Sequence, residues 1–192
     1  MAGAMAASST NRIAPITVIT AVSRPWSWWL RLTWPRADRS VFIKRPLLRL
    51  SFIHVAHWAL IDRIPASAGR RRARRLPTPY VVFQSNFDGP AAEYAEAFAL
   101  EMPWRIRGLW GGAYGFPGPR PANDFVRYVI DHAVDEPYHY HCRHPTATVR
   151  TVNAALRLRD GLERFRCETA ELGPQEFAAA WRRFLTVHQR DL

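Results

Sequence analysis

The sequence predicts an α+β fold: one antiparallel sheet with helices on one face, preceded by an extended N-terminal arm. Two observations carry this. The chain has 192 residues, of which 48% are hydrophobic and 12% aromatic, enough apolar surface to offset the ordering entropy of one core but not of two. From residue 51 onward, short β-branched and aromatic runs alternate with longer stretches of helical periodicity, in the order β-β-α-(β)-α-β-α-α. Residues 1–49 are therefore assigned to a basic, tryptophan-rich arm, and residues 50–192 to an α+β domain with C-terminal helices.

Residues 1–11 are small and polar, a loose terminus. The segment from Pro25 to Pro35 holds Trp26, Trp28, Trp29 and Trp34, half of the eight tryptophans. A second apolar and basic stretch, Val41 to Leu50, is broken by Pro46. Ser51 to Ile61 reads as a strand apolar on both faces, central in its sheet. Gly69 and the arginines that follow mark an exposed loop, and Tyr80 to Phe83 resumes strand character, making a hairpin with a basic tip. Asp88 or Gly89 is placed to cap the next helix, with Pro90 in its first turn and Ala91, Tyr94, Ala95, Phe98 and Met102 on one face. Pro103 ends it, Trp104 to Trp110 forms a short further turn, and the glycines of 111–118 suggest close approach of another group to the backbone. Asn123 is expected to cap a helix through Ala133, Tyr138 to His144 reads as a strand, Thr146 is expected to cap a helix to about Arg166, and Gly173-Pro174 introduces the last helix.

The stretches FIHVAHWALID (52–62) and YVVFQSNFDGPAAEYAEAF (80–98), with Tyr140, Pro145, Thr148 and Val149, resemble a group of poorly characterised bacterial proteins with ferredoxin-like, dimeric α/β-barrel-like domains. The resemblance covers roughly residues 50–155. It implies a ferredoxin-like sheet; domains of this kind include haem enzymes, monooxygenases, small-molecule binders and scaffolds, and it carries no catalytic residues over.

Charge separates the chain in two. Residues 1–75 carry 14 Lys and Arg against Asp38 and Asp62, whereas residues 76–192 carry 13 against 14 acids. Arginines and indoles together suit a membrane–water interface, where the ring is half buried and guanidinium groups meet anionic lipid. This makes Trp26, Trp28, Trp29, Trp34, Arg31 and Arg36, with Arg70, Arg71, Arg72, Arg74 and Arg75 of the hairpin tip, the candidate residues for docking to a membrane surface or a membrane protein complex. The protein's own core, a protein partner and nucleic acid are the competing uses of the same side chains, and an uncovered apolar sheet face also allows a homodimer. No apolar run reaches the length of a bilayer span, and two cysteines, Cys142 and Cys167, fit a reducing compartment. The expected location is cytoplasmic, peripheral to the membrane. The acid-free first 37 residues leave a targeting role open.

His139 and His141 fall on one face of the strand expected at 138–144, and His54 or His57 on the first strand is a third imidazole if the strands are neighbours. Such a set would serve a haem- or transition-metal-dependent oxidoreductase, against the plainer reading of hydrogen-bonded or exposed histidines. Sequences of the GxSxG, P-loop, GxGxxG and CxxC types are absent, so the usual hydrolase and nucleotide signatures give no lead.

Overall fold

The computed structural model describes residues 12–39, 50–66, 72–134 and 140–192. It is a mixed α+β chain whose described elements run β1 (Ile13–Ala21), α1 (Arg24–Arg39), β2 (Ile53–Ile64), β3 (Arg74–Asp88), α2 (Ala91–Glu101), α3 (Pro103–Trp110), α4 (Ala122–Asp131), α5 (Val149–Glu168) and α6 (Pro174–Val187). The sheet has the order β1-β3-β2 and both pairings are antiparallel. β1 and β2 therefore run parallel on either side of β3, and α1 is the crossover between them.

Residues 13–39 are integral to this fold and do not form an extended arm. The alternation in IAPITVITA turns Ile16, Val18 and Thr20 to the core, opposite Ser85, Phe83 and Val81 of β3, as a half-buried strand requires. Pro25 sits in the first turn of α1, where no backbone N–H is needed. The outer side of β1 is occupied too. Val18 bridges Ala133 and Val22 bridges Ala113, with Val134 N–H donating to Thr17 O at 2.8 Å.

The expected hairpin is present as β2 and β3, and β3 starts earlier than expected, at Arg74. Its register against β2 shifts between the pairs Ile61–Tyr80 and Arg63–Arg75. The extra residues, Leu76 to Pro79, include two prolines, which cannot donate to a ladder and are accommodated by a bulge. Arg24 of α1 donates to Leu76 O and Pro77 O, taking up carbonyls of this irregular stretch. Asp62, opposite it and buried, pairs with Arg31 at 2.5 Å. Burial alone would raise the Asp62 pKa, but the guanidinium groups of Arg31 and Arg63 outweigh it and hold the carboxyl below its ordinary value. Two arginines of α1 thus pin the helix to the hairpin.

Helices cover one sheet face. Tyr94 stacks on Phe87 with centroids 4.0 Å apart and donates to Ser85 Oγ at 2.7 Å, and Trp110 meets Phe83 and Phe125 edge-on. Of the face expected to turn inward, Tyr94, Ala95 and Phe98 of α2 and Met102 just after it are buried, and Ala91 is only partly so. On the opposite sheet face Ile19, Val55, His57, Ile61 and Tyr80 stay exposed.

Several expected caps are placed differently. The carboxylate of Asp88 does not cap α2, whose N-cap is Pro90; it accepts from Val149 N–H at 2.9 Å, at the start of α5, and its other oxygen is hydrogen-bonded to His54 Nε2 at 2.9 Å. Thr148, not Thr146, caps α5, and α4 begins after Pro121 with no side-chain cap from Asn123. Residues 140–144 form no strand; the rest of that expected strand, Tyr138 and His139, lies outside the described residues.

Beyond the sheet, α5 and α6 form a helical hairpin in which Gly161, Phe184 and, in the turn between them, Thr169 are buried. Phe165 meets Phe177, Trp181 and Phe184 between the two helices. A Cβ on Gly161 would lie 2.6 Å from His188 Nε2, so the imidazole packs against the bare backbone at this glycine.

Candidate functional site

Helix α1 presents three different faces, fixed by the spacing of its residues. Ser27 and Leu30 point inward and are buried. Trp26 and Trp29 turn sideways toward α3, stacked on each other at 4.6 Å. Arg24, Trp28, Leu32 and Arg36 follow one another at intervals of four along the outer side. Trp28 is 60% and Leu32 61% exposed, and an arginine brackets the pair at each end.

Trp26 packs against the glycines that end α3. A Cβ on Gly112 would fall 2.1 Å from Trp26 Cγ, and one on Gly111 would fall 3.2 Å from the Trp26 ring. The close approach expected over 111–118 is thus an indole from the first helix, and its Nε1 donates to Leu109 O at 3.2 Å.

Next to this contact lies a cavity of about 650 Å³. Trp29 and Trp34 reach it from α1, Trp58 from β2, and Trp104 and Trp110 from α3. Phe98 and Met102 of α2 complete the apolar wall, and Gly108 leaves room on α3. No acidic residue is among the lining side chains; Arg36 and Arg105 are its charged members, and Arg105 lies over the Trp104 ring at 4.2 Å. Partial burial lowers the Arg105 pKa from its ordinary value. The indole N–H groups of Trp58 and Trp110 are buried and meet no acceptor among the described residues.

The structure therefore brings together Trp26, Trp29, Trp34 and Arg36 but sets Trp28 on the outer side. Arg31 is engaged by Asp62. Arg72, Arg74 and Arg75 are exposed at the hairpin end, and Arg70 and Arg71 lie outside the described residues. Sequence reasoning missed Trp58, Trp104 and Trp110 as members of the cavity. The available signal was composition: these are three of the four tryptophans outside the Pro25–Pro35 segment, and large indoles gather where a domain has a deep apolar wall.

The histidines are not gathered. His54 is held by Asp88, His141 is exposed in a segment without strand structure, and His139 lies outside the described residues. Among the described residues no group of three His, Cys, Asp or Glu side chains is placed to hold a metal ion. No described helix is long and apolar enough to cross a membrane. No family model, curated protein or solved structure matches the chain.

Proposed function

We propose that this chain is a ferredoxin-like accessory domain that docks on an anionic membrane surface through the outer face of α1. The β-α-β-β-α order and the strand sequence β1-β3-β2 support the ferredoxin-like assignment, with the Val18–Ala133 bridge standing where that arrangement has a fourth strand. The docking reading rests on one observation: Trp28 and Leu32, both about 60% exposed, sit side by side between Arg24 and Arg36. Large apolar side chains turned to solvent on a basic helix face fit the interfacial region, where rings enter the headgroup layer; Arg24 is held by the Leu76 and Pro77 carbonyls, so Arg36 is the bracketing guanidinium that meets lipid phosphate. Trp104, 54% exposed on α3, widens the apolar area.

Removing residues 1–50 is not a clean test, because it would delete an edge strand and a packed helix. The test is co-sedimentation of the full chain with vesicles of phosphatidylcholine containing phosphatidylserine, comparing the natural sequence with Trp28→Ser/Leu32→Ser. Docking predicts that apparent affinity falls at least about tenfold, since two large side chains no longer leave water, and that binding weakens with salt. Equal sedimentation of the two proteins overturns the reading.

A further inference from the structure

The cavity between α1, β2 and α3 shares Arg36 and Trp104 with the docking face. We infer that it takes the chain of a long-chain fatty-acid anion, with the carboxylate at the mouth beside Arg36. That the guest is apolar with an anionic end follows from the cavity alone; that its apolar part is an acyl chain rests on the docking reading.

Burial separates a floor from a mouth. Phe98, Met102, Ile106 and Trp110 line the floor and are each at most 4% exposed. Trp29 and Trp104, by contrast, are 42% and 54% exposed, and Arg36 is exposed as well. The cavity thus leads from solvent down to the core, and its volume of about 650 Å³ lies inside the roughly 300–1,000 Å³ of pockets that enclose small organic molecules.

The interior gives a guest nothing to bond with. The indole nitrogens of Trp58 and Trp110 lie beneath the surface of the wall, and the Thr33 hydroxyl already donates to Trp29 O at 2.9 Å. A polar group carried inside would lose its water without replacement, so the part that enters is apolar throughout. The charge of the lining is positive. Arg36 and Arg105 are its charged members, and no acid is among the described residues that line it. Arg36 gives one nitrogen to Leu32 O, and a guanidinium has more donors than one carbonyl takes, which leaves it able to meet a carboxylate. Because Arg36 and Trp104 also belong to the docking face, the mouth opens on the headgroup layer, where apolar bodies with anionic ends are acyl chains.

The experiment is isothermal titration calorimetry of the full chain, without lipid and below the concentrations at which the ligands form micelles, against decanoate, hexanoate and 1-decanol. Decanoate should bind saturably and at least about thirtyfold more tightly than hexanoate, because its additional methylene groups leave water. It should also bind at least about threefold more tightly than 1-decanol, which has the same chain and no charge. Gly108→Leu should abolish binding, because the new side chain starts 3.8 Å from the Trp29 ring and grows into the cavity. It replaces a helical glycine with a better helix former, so the fold is expected to survive. Arg36→Gln should weaken decanoate at least about threefold and leave 1-decanol unchanged. Should Gly108→Leu fail to fold, Arg36→Gln and the chain-length comparison carry the test. Absence of saturable decanoate binding, decanoate no tighter than hexanoate or 1-decanol, or decanoate binding that survives Gly108→Leu overturns the inference. So does 2-naphthoate that binds more tightly and displaces decanoate, which assigns the cavity to an aryl anion. Trp28 and Leu32 do not line the cavity, so Trp28→Ser/Leu32→Ser should bind decanoate as the natural sequence does. Vesicle sedimentation that ignores this pair while decanoate still binds overturns the docking reading alone; sedimentation that depends on the pair with no decanoate bound overturns the present inference alone.

Discussion

Gly112→Ala isolates the contact that holds the first helix to the body of the protein. The backbone at Gly112 is not among the glycines with positive φ, which are Gly89, Gly115 and Gly118, so an added methyl group acts through space alone. It would lie 2.1 Å from Trp26 Cγ and 2.3 Å from Trp26 Cβ. Because the clash reaches the Cβ atom, no rotation of the indole removes it, and the N-terminal turn of α1 has to move. Overpacking of this kind costs roughly 1–3 kcal/mol. Displacing Trp26 also gives up its hydrogen bond to Leu109 O, a net loss of about 1 kcal/mol, and the Trp26–Trp29 stack, about 0.5–1.5 kcal/mol. These contributions overlap, so the expected destabilisation is about 3 kcal/mol, or a fall in Tm of about 6–12 °C for a chain of this size. Urea unfolding followed by circular dichroism measures it. Gly108→Ala is the matched control: its Cβ meets only the Trp29 ring at 3.8 Å, and the helix gains up to about 1 kcal/mol from losing a glycine. Trp26→Gly, which removes the Cβ as well as the indole, should make Gly112→Ala nearly silent, whereas Trp26→Ala keeps the 2.3 Å Cβ contact and should not. Gly112→Ala with stability within about 0.5 kcal/mol of the natural protein would refute the reasoning.

Two further expectations concern other joints of the fold. Arg31→Met leaves the buried Asp62 carboxylate with only Arg63 and should cost about 1–3 kcal/mol at neutral pH. Because the folded-state pKa of Asp62 lies below its ordinary value of 3.8, its contribution is fully present above that value and is lost as pH falls through the folded-state pKa; stability of the natural protein should therefore drop more steeply below about pH 4 than that of Arg31→Met, as acid-unfolding curves will show. In the projecting hairpin, Gly161→Ala places a Cβ 2.6–2.7 Å from the outer atoms of the His188 imidazole; the ring has to swing aside, and with the gain of up to about 1 kcal/mol from losing a helical glycine the net loss should stay below about 1 kcal/mol and fall on the His188 end of α6. Hydrogen exchange should then accelerate at the end of α6 near His188 while β1 and β3 keep their protection.

The sheet hairpin and the helices after it were legible because their periodicities are strong and bounded by glycine and proline. Of the five residues expected on the inner face of α2, Tyr94, Ala95, Phe98 and Met102 are buried and Ala91 is partly exposed. β1 was not legible, although Ile16, Val18 and Thr20 alternate correctly, because nine mostly apolar residues near an N-terminus also suit a targeting segment. The helix α1 was hidden by Pro25 and Pro35, whose usual meaning as breakers is reversed where Pro25 occupies a first turn. The cavity was beyond reach of local pattern: Trp34, Trp58 and Trp110 are distant in sequence, and only the crossover of α1 over the sheet brings them to one wall. Asp88 illustrates the same limit. Its position before a helix points to a cap, but its carboxylate serves Val149 instead, a partner that only the tertiary structure supplies.

The placement of β3 between two strands made before it has a consequence for how the chain assembles. β2 meets β3 through a short return, whereas Ile13 finds Asp88 only after α1 and the whole hairpin have been made. Contacts of such long separation carry the larger loop-closure penalty and form late. During synthesis the first strand therefore waits, its amides open to solvent, until the third is complete, and the speed with which α1 seats on the finished hairpin sets how long that opening segment is vulnerable to proteases and to pairing with other chains.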